Sequence, residues 1–584
     1  MAENKVIETD VLVVGNGGGG ARAAIEVARS GSKVLMVAKG MFTRCGATVT
    51  ADMDIDIPSK EAKEVFGFDG DTADTVESFA QNMFDFGDYM NNEEVVLTHC
   101  SNATKYTKEL IDSGMKVLGF WKGHGHIYPR GVLSSGRSMM STLKRMAGQC
   151  KVDSAEHIMI TNLLTSEGRI AGAVGIDISS GDFLIILAKA VVLATGGAQR
   201  LYRITTSPEE LTGDGLSMGY QVGAELVDME FPRFNHSCLY WPESMHGIIY
   251  SRISPDVGGW WLNKHAERFM AKWDPVKMER GLPFHKSSVA QALEIVEGRG
   301  SPHGGIFITF KHLPDEVLEY AMQNFPWWHN FTYGNFNLLD FGMDPRKIAF
   351  EGGPACHHFC GGLKVNGKGE TNVPGLYVGG ETQGGTMGAG RLIGNAITEC
   401  LVFGALAGGN AANYAKNVSL AKVDKYQTDM YYEQIHSPLI LGDGVNVYDV
   451  RKKLQDLAHQ HLGPVRDESG LATCIQEVAK MKRDILPNQA INAKGKIYNC
   501  EWVTALENRS LLQVMEIIAH TSLMRKESRG GMYRRDYPDT DNKEWLSNII
   551  VKNQDGQMNL RTKPVVTSVV KLPTRKKIPY MSST

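Results

Sequence analysis

The feature that most restricts this chain is a glycine run held between two apolar segments. Residues 10 to 40 read DVLVVGNGGGGARAAIEVARSGSKVLMVAKG. Val11 to Val14 are apolar and mostly β-branched, as in a buried parallel strand. Gly20 to Arg29 predict a helix, and Lys33 to Val37 a second strand. Gly15, Gly17 and Gly20 fall on the turn between strand and helix as G-x-G-x-x-G. The first glycine permits the tight turn, the second admits a pyrophosphate to the backbone, and the third lets helix and strand pack closely. The helix N-terminus then faces the phosphate charge. A glycine-rich turn without function is the bland reading, but the strand–turn–helix setting favours dinucleotide binding. One residue is unusual: where an acid would hold the ribose hydroxyls, the chain has Ala38 or Lys39.

Two further segments read as buried strands ending in glycine, LAKAVVLATGGA at 187 to 198 and GLYVGGE at 375 to 381. Such strands need a common sheet, so the nucleotide-binding domain is assembled from distant pieces. The strings ATGG (194 to 197), TGDG (212 to 215) and GLYVGGE put glycines or a carboxylate at strand ends. An extended dinucleotide lying across the sheet uses all three, which selects FAD over NAD. The intervening residues, roughly 240 to 351, are rich in Trp, Pro and His and lack a clean period. From about 445 to 525 the pattern is helical, and after 530 it is polar with several prolines.

Length and composition narrow the class. At 584 residues the chain exceeds one ordinary core. A net charge of -3 gives no reason to expect nucleic acid or an anionic membrane as the main partner. No apolar run approaches the roughly 18 to 20 residues that span a bilayer. The start, MAENKVIETD, is not a secretory signal. Nine scattered cysteines argue against a disulfide framework and fit a reducing, cytoplasmic setting. With no CxxC pair, the chain itself is not expected to hold an iron–sulfur cluster, and no metal site is expected.

The motifs resemble those of the succinate dehydrogenase and fumarate reductase flavoprotein subunits. That superfamily includes L-aspartate oxidase and the α subunit of adenylylsulfate reductase. The resemblance runs through the glycine motif, TGDG, DMEF (228 to 231), NKHAERFM (263 to 270) and EGRG (297 to 300). It continues through CHHFCGG (356 to 362), GETQGGTMGAGRLIGNA (380 to 396) and ESRGGMYRRDYP (527 to 538). It implies an α/β fold: a discontinuous Rossmann-like FAD-binding domain, an inserted α+β capping domain and a C-terminal helical domain. The expected boundaries are 1–240 and 352–430 for the FAD domain, 241–351 for the cap, 431–530 for the helical domain and 531–584 for a tail. It also implies cofactor contacts at Gly15, Gly17, Gly20, Lys39, Thr43, Arg44, Cys45, Ala47 and Thr48. Further contacts are implied at Thr195, Gly196, Asp214, Glu381, Arg391, Asn395 and Ala396. Gly46 stands where many members carry the histidine that bonds to flavin, so noncovalent FAD is expected. Cys45 reads as a packing residue.

Members of this family exchange a hydride between substrate and flavin and a proton at the neighbouring carbon. Substrate carboxylates need cations in a dry cleft. The resemblance places His357 on the substrate-binding histidine and Arg391 on the carboxylate-clamping arginine. Other positions depart. Asn235 stands for a substrate histidine, with His236 beside it, and Ser251-Arg252 replaces a Thr-Glu pair. The proton-donating arginine falls on Phe284, followed by His285 and Lys286. Asn235 and Ser251 thus remain candidate substrate contacts. Arg252, His285 and Lys286 are candidates for binding a larger anion or donating the proton, with a solvated basic surface as the alternative. Trp260-Trp261 and Trp327-Trp328 read as cap core, or more sharply as a wall for a planar substrate.

The reading is the flavoprotein subunit of an FAD-dependent oxidoreductase whose substrate is an anionic, carboxylate-bearing small molecule. Succinate and fumarate are disfavoured, because lost polar pairing costs discrimination. Electrons are expected to pass through a separate iron–sulfur subunit. Any membrane association would come through partners. The alternatives are adenylylsulfate reductase-like chemistry and an electron-relaying flavin subunit without a substrate site.

Overall fold

A computed structural model describes residues 5–249, 257–324 and 338–581. Ser251, Arg252 and Trp327-Trp328 lie outside the described residues. The first apolar run forms the strand Lys5–Val14, whose Val11, Leu12 and Val13 are fully buried. It sits inside a seven-stranded sheet. Asp153–Glu156, Val34–Ala38, Lys5–Val14 and Phe183–Leu193 run parallel in that order. Arg169–Asp177 and Ile158–Ser166 continue the sheet antiparallel. The late strand Leu376–Val378 joins in parallel, aligning with Val191, Val192 and Leu193. Both distant segments expected to meet the first strand's sheet therefore do so. The helix Gly18–Arg29 starts two residues earlier than its pattern predicts. A Cβ on Gly20 would lie 1.9 Å from the Gly15 carbonyl oxygen, so helix and turn touch through backbone.

The cap hangs from the FAD domain on two long strands. Pro232–Leu239 and Phe350–Phe359 pair antiparallel, and Ile306–Thr309 and Trp260–Leu262 extend the sheet. Its core gathers Leu239, Trp261, Phe269, Phe310 and Phe350. Trp261 is buried as expected, whereas Trp260 lies at the surface stacked on His312. Four helices build the helical region: Lys425–Ile440, Val447–His461, Glu468–Lys480 and Cys500–Met524.

The polar residues after 530 are not a loose extension. Ser547–Gln554 and Gln557–Pro564 form a hairpin that pairs with Leu226–Val227. Gly362–Lys364 and Gln383–Gly384 complete that sheet. A buried ion network fastens the junction. The Arg525 guanidinium donates to Glu230 at 2.7 Å and Glu527 at 2.8 Å, and Arg529 donates to Glu527 at 2.6 Å. All four side chains are sealed from solvent. Glu527 and Arg529 of the ESRGG string therefore clamp this junction together with Arg525.

Candidate active site

The ends of the parallel strands open onto one cleft. Gly15, Gly17, Lys39, Cys45, Ala47, Thr48, Thr195, Gly196, Asp214 and Glu381 line it. The helix Gly18–Arg29 points its N-terminus there with no side-chain cap and no acid in its first turn. Its free amide end suits phosphate. Gly15 has φ +110°, and a Cβ on it would lie 2.1 Å from the Ala194 carbonyl oxygen. Backbone thus approaches backbone at the cleft floor, leaving the space above for a ligand. The helix terminus, the glycines lining the cleft and Glu381 fit FAD.

Several expected contacts sit elsewhere. Thr43 and Arg44 do not line the cleft, and Arg44 is exposed. Gly20 lies behind the turn. Asn395 is fully buried, donating to Asp56 at 2.8 Å and facing His99 at 2.9 Å, with Ala396 next to it on the same helix. Lys39 lines the cleft but is also committed to carboxylates, its ammonium meeting Asp214 at 2.9 Å and Glu507 at 2.7 Å. Burial works against that charge, but the two carboxylates outweigh it and raise the Lys39 pKa. Lys39 therefore ties the cleft to the helix Cys500–Met524. The carboxylate Glu210 also lines the cleft, which the sequence pattern did not signal. Burial and the Glu210 and Glu156 charges push the Cys45 thiol up to about 12, consistent with packing.

A second cluster forms beside the cleft. Arg391 lies 3.2 Å from His357 Nε2, and His357 Nδ1 lies 2.7 Å from Thr206 Oγ1. A guanidinium has no acceptor, so Nε2 accepts and Nδ1 donates to Thr206. The histidine is neutral and steadies the arginine fork. His358, next along the strand, points the other way and meets Glu381 at 3.1 Å. Burial would raise the Glu381 carboxyl, but His358, Phe359 N–H and Gln199 hold it below its usual value.

The strand Pro232–Leu239 adds Arg233, directly opposite His358 and buried. Sequence reasoning passed over it, although an arginine two residues after DMEF was a visible signal. Asn235 and His236 are buried on the same strand. Phe284, Lys286 and His285 begin the helix Phe284–Glu294, and all three are buried. The alternative of a solvated basic surface at His285 and Lys286 therefore fails. His285 faces Asp88 at 3.7 Å, and the Lys286 ammonium sits 5.2 Å from the Tyr580 ring centroid. Phe284 stacks on His124 at 4.4 Å and tilts against His236 at 4.6 Å. Sequence reasoning missed His124 and His126, although their glycine-spaced string GHGH marked a tight turn.

The cleft, with Arg391 and His357 beside it, fits an FAD-dependent oxidoreductase, the class to which the chain's relatives belong. A family described as FAD binding domain matches residues 10–397, and one described as Fumarate reductase flavoprotein C-term matches residues 451–578. The chain belongs to the succinate dehydrogenase and fumarate reductase flavoprotein family. An uncharacterized FAD-dependent oxidoreductase of Methanocaldococcus jannaschii is 32% identical, covering 94% of this chain and 97% of its own. A fumarate reductase (CoM/CoB) subunit of Methanothermobacter marburgensis is 29% identical, with 94% and 98% covered. The structure of Mycobacterium smegmatis Sdh1 in complex with UQ1 superimposes with a TM-score of 0.85 at 29% identity, covering 97% and 96%. Among the described residues, no helix is long and apolar enough to cross a membrane.

Proposed function

We propose that this chain is the flavoprotein subunit of a complex that moves two electrons to or from an unsaturated or saturated carboxylate. Electrons pass to or from an iron–sulfur partner subunit. The observation that carries this reading is the Arg391–His357 pair, set in glycine-rich strings beside the cleft. FAD, when bound, supplies the two-electron exchange. Gly15, Gly17 and the end of Gly18–Arg29 would hold its pyrophosphate. Arg391 grips the substrate carboxylate through its planar fork, and His357 keeps that fork in place. Gly46 lines the cleft without a side chain that bonds to flavin, so the cofactor is held noncovalently. Acid precipitation should send all yellow colour to the supernatant; colour retained in the pellet contradicts this.

The substrate is expected to differ from a small dicarboxylate. Phe284 occupies the position expected for a cap arginine, and the imidazoles beside it are not charged at neutral pH. Burial holds His124 at about 4 and His236 well below its usual value, with the Arg233 charge adding to both. One carboxylate is matched by Arg391, and flat apolar surface lies nearby. Chemically reduced, FAD-loaded protein should be mixed anaerobically with fumarate, cinnamate, an enoyl-CoA or adenylylsulfate. Cinnamate should restore the oxidised flavin spectrum faster than fumarate. If ferricyanide reoxidises the flavin and none of the carboxylates does, the substrate reading is wrong.

A further inference from the structure

We propose that His124 is the residue that exchanges the substrate proton. This rests on the carboxylate reading above and deepens it. Six imidazoles crowd the neighbourhood of Arg391, and their surroundings separate them. His357 is engaged at both nitrogens, by Arg391 and Thr206. His358 is buried against Glu381. His126 is buried, 3.0 Å from the Ile393 carbonyl and 3.3 Å from Asp56. His285 is sealed against Asp88, and His236 is sealed beside Ser237. His124 alone of the six combines partial exposure with no hydrogen bond to any described residue.

Its position is set by packing. The ring lies flat on Phe284, with 9° between planes. The turn beneath it is fitted to the loop that follows Arg391. A Cβ on Gly123 would lie 2.7 Å from Ile393 Cγ2, and Gly125, at φ +85°, would meet Phe86 at 2.5 Å and Leu392 at 3.1 Å. His126 pins the same turn to the Ile393 carbonyl. His124 is thus held in register with Arg391, two residues before Ile393. Loosening that turn by an ångström would cost rate.

The charges facing His124 come from three elements: His126 on its own turn, Arg233 on the strand and His285 on the cap helix. All disfavour the imidazolium, and none is a carboxylate. An arriving carboxylate supplies the missing negative charge and favours protonation of His124. Substrate binding and proton uptake are thereby linked. In saturation of a carbon–carbon double bond, His124 as imidazolium gives its proton to one carbon, while FAD, if bound and reduced, would supply the hydride for the other. The π bond is consumed, two C–H bonds form, and the imidazole is left neutral. Oxidation is the reverse, with neutral His124 as the base.

The test uses full-length, FAD-loaded protein with His124→Gln and His124→Gly, and cinnamate and fumarate as probes. Reoxidation of reduced flavin by the active probe should slow by about 10²- to 10⁴-fold in both variants. Flavin content and reoxidation by ferricyanide should stay at the wild-type level. Added imidazole should restore part of the rate to His124→Gly and none to His124→Gln, a rescue that a merely structural role does not give. Substrate C–H exchange with deuterated solvent should fall in step. Equal rates in wild type and His124→Gln overturn the proposal while leaving the carboxylate reading intact. A wild-type protein inert to both probes removes the reading on which it rests. Should His124→Gln lose flavin, His126→Gln serves as the second case: it should alter rate less than His124→Gly, and the opposite order also overturns the proposal.

Discussion

Arg391→Ala should abolish carboxylate-driven reoxidation of the flavin while the protein stays yellow. The guanidinium stands against His357, and its own side chain is outside the residues lining the FAD cleft. Removing one member of a desolvated, hydrogen-bonded charge pair costs about 2 to 5 kcal/mol in binding. Carried into the transition state, that corresponds to a loss of about 30- to 5,000-fold in rate. Arg391→Lys should recover little, because an ammonium keeps the charge but lacks the fork. Stopped-flow reoxidation and flavin-to-protein absorbance ratios read both halves. Turnover that survives Arg391→Ala would show that the carboxylate is held elsewhere.

The second large effect concerns stability. Arg525→Met should destabilise the protein by about 3 to 5 kcal/mol at neutral pH, seen as a lower thermal midpoint. Arg525 neutralises Glu230 and Glu527 in a region closed to water. Burial already raises the carboxyls of Asp228 and Glu230, opposed chiefly by Arg525. Without the guanidinium those groups rise further. A carboxylate raised in the folded state binds its proton more tightly there than in the unfolded chain. Stability therefore falls as pH climbs from the ordinary carboxylate value of about 4 toward the raised native value. The deficit of Arg525→Met should accordingly shrink at pH 5 relative to pH 7. An equal deficit at both would show that lost packing over Phe231, not charge, dominates.

The nucleotide-binding core was legible because its determinants are local. Val11 to Val14 and the following glycines carry strand, turn and helix within a short stretch, each with its own period and backbone requirement. The partner of Lys39 was not legible, since Glu507 comes from a helix far along the chain and nothing near Lys39 encodes the pairing. His285 and Lys286 illustrate a second limit. From sequence they could be read either as site cations or as a solvated surface, and only tertiary packing against Asp88 and Tyr580 shows them enclosed. For His124 the string was readable but its neighbours were not: Phe284 reaches it from the cap, and only the fold brings the two rings together. The residues after 530 show the same effect, their polar strands gaining a place only by pairing with Leu226–Val227.

That last pairing has a consequence for synthesis. The strand Leu226–Val227 lacks one of its neighbours until Ser547–Gln554 has been made. Glu230 likewise waits for Arg525. During translation the early portion emerges from the ribosome with an open sheet edge and uncompensated acid groups. A nascent chain in that state is a natural client for chaperones.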